Sequence, residues 1–311
     1  MPLALTGRFG ETAAELADFE AAGLDVVSVP EAWGFDAVSR LGFLAARTST
    51  LQLASGILNV YSRTPEVLAA TAAGLDAVSG GRFVLGLGAS GPQVIEGWHG
   101  LPCTAPLART RTVVQACRSM GGGRRIPLLL AALGPRNVAL AAELFEAWEP
   151  IFFLPERAAD AFGAALAEGT GRRDPGLGAL DVVADTSLLI TDDPTQEDRA
   201  LRRVRQQLAL YVGGMGARGR NFYADLAVRY GFADAAREVQ DAYLGGHPRA
   251  AAAALPEELV RGVSLIGPRE HVAERVAAFA AAGVTTINAA PLGADAATRL
   301  ASVAALRELT G

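Results

Sequence analysis

Residues 79–91, SGGRFVLGLGASG, join a Ser-Gly-Gly turn to a short apolar run and then to a glycine-rich loop carrying one hydroxyl. Gly88, Gly91 and Ser90 leave the backbone free to approach a ligand closely, with N–H groups available to an anion. Alone the stretch is modest, because glycine-rich loops after strands often make nothing but tight turns. Groups able to give or take a proton stand at comparable places: Glu31 directly follows the apolar run at 26–29, and His99 follows Trp98 behind the run at 83–87. Each has a plainer reading, Glu31 as a surface or helix-start acid and His99 as a structural residue in a Gly-flanked loop. Trp33, two positions after Glu31, suits either the wall of a pocket or the core. Tyr61 and Arg63 follow the run at 51–54, where either suits contact with substrate or cofactor. His247 and His271 read as solvent-exposed. The arginines at 109, 111, 118, 124 and 125 are open to two readings, attraction of an anionic tail or a solvated helix face. No His/Cys/Asp/Glu cluster has metal-ligand spacing, and no Ser-centred elbow occurs.

The elements that must position these groups alternate between two periods. Apolar runs fitting buried parallel strands fall at 3–5, 26–29, 51–54, 83–87, 126–131, 150–154, 182–190 and 285–290. Between them lie Ala- and Leu-rich helical patterns at 11–22, 36–48, 65–78, 106–119, 135–147, 156–169 and 268–282, with a last helix near 295–309. Thr64-Pro65-Glu66 supplies an N-cap hydroxyl, a first-turn proline and an early acid. FEAAG at 19–23 and FAAAG at 279–283 each close a helix with Gly at C′ before an apolar strand. Residues 190–262 break the alternation and read as a mostly helical excursion. The expectation is an α/β (β/α)8 TIM barrel spanning 1–311 as one domain, with 190–262 a helical insertion between the seventh and eighth strands at the C-terminal rim. For that excursion, a packing subdomain or dimer contact weighs equally with a site-building role.

With the barrel in place, the segments EAAGLDVVSVPEAWGFDAV (20–38), ASGILNVYSRTPEVLAATAAGLDAVSGGR (54–82), FVLGLGASGPQVIEGWHG (83–100), IPLLLAALGPRNV (126–138) and SLIGPREHVAERVAAFAAAG (264–283) occur in order across most of the chain. Together they resemble the bacterial luciferase-like superfamily and, within it, the actinobacterial oxidoreductases dependent on the deazaflavin coenzyme F420. The resemblance implies a non-prolyl cis peptide at Gly56-Ile57 buttressing the cofactor ring, with Asn59 as a cofactor-facing polar group. It implies that Ala89, Ser90, Gly91 and Gln93 meet the cofactor's polar chain, and that Ala132, Leu133 and Gly134 form a second loop opening a helix N-terminus. It further implies hydride transfer at the cofactor's central ring, with the protein supplying orientation and a proton donor or acceptor. Glu31 is the candidate for that role and His99 the alternative. The related sugar-phosphate dehydrogenases place a His where Ala32 stands, which argues against their substrate here.

Two departures bear on activity. The long insertion expected between the fourth helix and fifth strand is absent, Gly121-Gly122-Gly123 running directly into Arg124-Arg125. The usual Asp-Gly before the sixth strand is Glu146-Ala147, which removes backbone freedom near the ring pocket. The leading expectation is F420-dependent hydride transfer to or from an unidentified small organic molecule. An FMN-dependent monooxygenase comes second, and a non-catalytic homologue serving as a binding or partner subunit third. The net charge of −5 argues against nucleic acid. Cys103 and Cys117 are too few for a disulfide framework. With no basic, apolar leader and no membrane-length run, a cytoplasmic protein is expected, and the resemblance implies a homodimer.

Overall fold

The structure is a computed structural model that describes residues 1–3, 9–32, 34–120 and 125–311. In chain order it contains α1 (Phe9–Ala21), β1 (Val26–Val29), α2 (Ala37–Ala45), β2 (Gln52–Ser55), β3 (Leu58–Asn59), α3 (Pro65–Val78), β4 (Phe83–Gly88), α4 (Pro106–Met120), β5 (Leu128–Ala131), α5 (Pro135–Leu144) and β6 (Ala147–Glu149). There follow α6 (Pro155–Thr170), β7 (Asp181–Ile190), α7 (Pro194–Ala209), α8 (Phe222–Arg229), α9 (Ala233–Leu244), α10 (Pro248–Ala253), α11 (Glu257–Gly262), β8 (Ser264–Gly267), α12 (Arg269–Ala281), β9 (Thr286–Pro291) and α13 (Ala296–Thr310). Two short π-helical turns, Gln93–Trp98 and Leu210–Gly214, complete the set with a 3-10 turn at Pro175–Leu177.

Local chemistry sets the boundaries. Thr64 caps α3 by accepting the Val67 N–H at 3.3 Å ahead of Pro65, and Asp36 caps α2 through the Ser39 N–H. The two Ala-Gly helix ends are the same device. Gly23 and Gly283 take φ of +89° and +91°, and Leu24 and Val284 N–H groups donate back to the Phe19 and Phe279 carbonyls. That is the six-to-one bond of a Schellman end, which needs a residue tolerating the left-handed region.

The chain divides into two compact units. The first takes 1–132, 139–149 and 169–181 and carries the parallel strands in the order β1-β2-β4-β5-β6, with β3 paired to β4. Its β4 is buried along its whole length, as a strand covered on both faces must be. Arg82 pins the strand entry: its guanidinium donates to the Leu51, Ala45, Thr48 and Ser79 carbonyls and to the Thr48 hydroxyl. The second unit takes 133–138, 150–168 and 182–311, with β7 pairing in parallel to β8 and β9. An aromatic core of Phe153, Phe162, Phe279 and Tyr230, with centroids 5.9–6.2 Å apart in contacting pairs, sits within it.

Several expected strands shift. Residues 1–3 contribute a bridge, Pro2 to Ser28, and the rest of the expected strand at 3–5 lies outside the described residues. The sixth strand is 147–149 in place of 150–154: Pro150 has no N–H for a ladder, and Phe152 turns left-handed at φ +57°. The two-residue β3 is too short to show a period, and the four-residue β8 was missed because it follows closely on the helical stretch ending at Gly262. The run at 285–290, expected as the eighth strand, is therefore β9. Residues 194–262 are mostly helical, with a loop at 215–221, and β8 follows them closely.

Candidate active site

The first unit builds one continuous wall from β2, β3 and β4. The Ser55 hydroxyl donates to the Gly86 carbonyl and accepts the Gly86 N–H, both at 2.8 Å. A Cβ on Gly86 would fall 1.9 Å from the Ser55 carbonyl oxygen, so only glycine fits there. The Gly56-Ile57 peptide that follows is cis, at the position the family resemblance assigns. Ile57 then lies over β4, where a Cβ on Gly88 would stand 2.7 Å from its Cδ1. Asn59 closes the wall opposite Gly88. It is 2% exposed; its Oδ1 accepts the Tyr61 N–H at 2.7 Å, which fixes the amide's orientation. Its Nδ2 is buried with no hydrogen-bond partner among the described residues. An unmet buried donor of this kind costs about 1–3 kcal/mol unless a ligand accepts it.

Glu31, at the end of β1, does not stand alone. Arg63 donates to both its oxygens, at 2.6 and 2.9 Å, and the Ala37 N–H at the start of α2 adds a third bond at 2.9 Å. The pair is largely enclosed, with side-chain exposures of 19% for Arg63 and 12% for Glu31, and the bond to Glu31 pushes the Arg63 guanidinium up. Arg63, read from sequence as a ligand contact, thus holds the candidate acid. Tyr61 is buried, donates to the Thr104 carbonyl at 2.9 Å and lies under the Arg109 guanidinium, 5.1 Å from the ring centre. Burial, with the Cys103 thiol next, pushes its phenol up to about 12. Arg109 donates to the Val60 carbonyl at 2.6 Å, so the arginine run begins as scaffold. Arg111 pairs with Glu143, and Arg118 and Arg125 with Glu146; Arg124 lies outside the described residues.

The loop after β4 leaves Ala89, Ser90 and Gly91 half-buried, with Ser90 at φ +55°. The Gly91 carbonyl accepts the Val94 and Ile95 N–H groups and opens the first π-turn, an irregularity common near functional sites. Gln93 begins that turn with its Oε1 buried and unpartnered among the described residues. His99 closes it, its N–H donating to the Val94 carbonyl, and neighbouring Trp98 is 57% exposed. No hydrogen bond among the described residues joins the His99 ring to Glu31. Ala132 stays in this unit: its carbonyl accepts the Trp148 indole N–H at 2.8 Å. In the second unit, Leu133 offers its carbonyl to Arg229, while the Gly134 carbonyl accepts from Asn137 and Val138 and starts α5. Trp33 and the triple glycine lie outside the described residues.

Two expectations are corrected here. His271 is half-buried with its Nε2 enclosed, in place of a solvent position, and His247 is exposed as expected. Glu146-Ala147 opens β6 by pairing to the β5 entry: Glu146 accepts the Leu128 N–H, and Ala147 registers with Leu129. Neither residue is left-handed, so no glycine is needed there. Sequence reading missed Asp185 on β7 and the tyrosines at 211 and 223. The available signal was a carboxylate inside the strand-like run VVADTSLLI.

The model of the luciferase-like monooxygenase family matches residues 3–286. The chain belongs to that family. It is 37% identical over 305 residues, covering 86% of each chain, to Rv3520c of Mycobacterium tuberculosis, provisionally named a coenzyme F420-dependent oxidoreductase. It is 29% identical over 289 residues to the 5,10-methylenetetrahydromethanopterin reductase of Archaeoglobus fulgidus, spanning 83% of this chain and 82% of that one. The solved coenzyme F420-dependent tetrahydromethanopterin reductase of Methanopyrus kandleri superposes with a TM-score of 0.79 at 21% identity, over 98% of this chain and 96% of the other. The α/β barrel class expected from the strand–helix alternation, luciferase-like by the resemblance of its motifs, is therefore the fold of this chain.

Proposed function

We propose that this protein is an F420-dependent oxidoreductase that moves a hydride between the deazaflavin and a small organic substrate. The observation that carries the reading is the wall Gly86–Gly88–Ile57 ending in the unmet Asn59 amide donor. The two glycines let the Ser55–Ile57 segment seat directly on β4, and the Ile57 side chain beside the buried Asn59 N–H donor fits a flat, carbonyl-bearing ring. Gln93 Oε1, also enclosed without a partner among the described residues, supplies an acceptor for the cofactor's hydroxylated chain, beside Ala89, Ser90 and Gly91. Ala132, Leu133 and Gly134 fit the second cofactor loop. When bound, the deazaflavin supplies hydride transfer at its central ring.

The chain's own residues orient and manage the proton. Ile57 and Asn59 would hold the ring and exclude water from one face. Glu31 is anchored by Arg63 and the Ala37 N–H, which fixes its carboxylate in one place; its role there is to hold a substrate hydroxyl and to exchange the proton with it. His99, at the end of its π-turn, is the alternative proton carrier, and Trp33 a candidate substrate wall. Tyr61 and Arg63 act through Glu31 and the loop they brace. Helices α7 to α11 are read as the helical insertion between the seventh and eighth expected strands. The mycobacterial relative supports an actinobacterial setting. No described helix is long and apolar enough to cross a membrane, which accords with a cytoplasmic enzyme. The exposed Phe35 and Phe43 are compatible with a homodimer, measurable by light scattering.

The test is a parallel anaerobic fluorescence titration of the cofactor-free protein with F420 and with FMN. Saturable binding at micromolar or tighter Kd for F420 alone supports the proposal. Preference for FMN would overturn it in favour of a flavin monooxygenase. Binding of neither would point to a barrel that keeps the fold without the reaction.

A further inference from the structure

Within the second unit, Phe152, Tyr211 and Tyr223 meet in a corner of three rings. Centroids lie 5.3 Å apart for Phe152–Tyr211, 6.3 Å for Phe152–Tyr223 and 4.7 Å for Tyr211–Tyr223, each pair edge to face. The corner is deliberately held. Phe152 occupies the left-handed region at φ +57°, which a bulky side chain seldom adopts. The Tyr230 hydroxyl secures it, donating to the Phe152 carbonyl at 3.0 Å and accepting the Leu154 N–H at 3.2 Å. Tyr211 rides on the second π-turn, whose Gly213 and Gly214 lie so near Tyr243 that a Cβ would come within 2.4 and 2.5 Å of it.

A single buried amide then registers the two tyrosines. Asn221, 1% exposed, donates through Nδ2 to the Tyr211 and Val212 carbonyls at 2.9 Å. Its Oδ1 accepts the Tyr223 and Ala224 N–H groups at 2.9 and 3.1 Å. Beside the rings runs β7. Ile151 bridges Asp185, which places Phe152 next to that strand, and Asn288 on β9 donates to Asp185 Oδ1 at 2.5 Å.

The environment is apolar with a negative charge behind it. Burial first, and the Asp185 carboxylate second, push the Tyr211 phenol up; burial does the same to Tyr223. No arginine is among the groups that act on either phenol. Both tyrosines are nevertheless half-buried, and neither hydroxyl has a hydrogen-bond partner among the described residues. Two phenols kept in register beside a carboxylate, with hydroxyls that no described residue engages, form a surface that offers more than packing.

We propose that this corner is a binding site for an organic cation, a quaternary or protonated amine or an iminium nitrogen. Electron-rich ring faces and the Asp185 carboxylate both attract such a group, and the phenol oxygens can accept an N–H from it where it carries one. Phosphate and carboxylate groups are repelled from the same place.

The full-length, cofactor-free protein is titrated by calorimetry with choline and with its uncharged carbon isostere 3,3-dimethylbutan-1-ol, alongside a separate F420 titration. The expected result is saturable choline binding at least about tenfold tighter than the isostere. Asp185→Asn and, independently, Tyr223→Leu should remove that preference, with folding checked by thermal melting. Tyr223→Leu keeps the charge and deletes a ring, so it decides the matter if Asp185→Asn does not fold. Equal affinity for the two probes, no saturable choline binding, or a preference surviving Tyr223→Leu would each overturn the proposal. Loss of F420 binding with choline binding intact would instead count against the proposed cofactor alone.

Discussion

Replacing Glu31 with Gln separates two roles that one carboxylate fills. The substitution keeps the shape and loses the charge that receives both Arg63 N–H groups, at 2.6 and 2.9 Å. The new amide also turns an NH2 toward the guanidinium, donor against donor. Removing one partner of a fully buried ion pair costs about 3–5 kcal/mol. Here the exposures of 19% and 12% let water reach part of the pair, so a loss of about 1–3 kcal/mol is expected. Denaturant titration reads that loss directly. At a temperature where the variant is still folded, turnover should fall by about 10²–10⁴-fold, the usual worth of a positioned proton-transfer group, while the F420 Kd moves by no more than about threefold. Arg63→Met provides the contrast: it leaves Glu31 in place, held by the Ala37 N–H without the guanidinium, and should cost stability with a smaller effect on turnover. A folded Glu31→Gln enzyme with unchanged turnover would sink the proton-transfer role. Equal losses from both variants would recast Glu31 as a tether for the loop bearing Arg63.

The remaining predictions probe the ring wall and one surface network. Gly88→Ala drives a Cβ to 2.7 Å from Ile57 Cδ1; it should cost about 1–3 kcal/mol and weaken F420 at least about tenfold, with Ile57→Val recovering part of both in calorimetry and titration. Asn59→Asp keeps the acceptor for the Tyr61 N–H but turns the unmet donor into an acceptor, so the F420 Kd should rise about 10–100-fold, and an unaltered Kd would remove Asn59 from the cofactor site. Glu20 accepts bonds from the Thr50 hydroxyl and from the Thr50, Leu51 and Ser49 N–H groups, which together lower its carboxyl to about 2. Its contribution to stability is therefore full above the ordinary value of 4.5 and lost as pH falls towards 2. The stability gap between wild type and Glu20→Gln should close across that window in acid titrations followed by circular dichroism.

What could be read from the sequence was whatever is written locally. The cap at Thr64-Pro65 and the two Schellman glycines depend on residues within six positions of one another, and each appears where the pattern places it. The β4 glycines were equally visible, because a glycine inside a buried strand signals a close approach. Their partner was not: nothing local says that Ile57 is the side chain lying over Gly88. The strand errors have the same origin. IFFL at 151–154 has the composition of a strand, yet Pro150 withholds an N–H and Phe152 turns left-handed under the grip of Tyr230, a residue 78 positions away.

The site shows the limit most clearly. Glu31 and Arg63 were each singled out, one as an acid and one as a ligand contact, and at 32 positions apart they are bonded to each other. A bidentate pair satisfies two charges at once, so each residue's chemistry is altered by the other in a way neither spacing nor type announces. Asn221 makes the same point in the second unit. An asparagine before a helix reads as a cap, and it is one for α8, but its other amide end ties down the turn carrying Tyr211. Capping is a local property that the sequence displays. The registration of two distant rings by the same four atoms is a property of the fold, and there the aromatic corner acquires the rigidity that a binding surface needs.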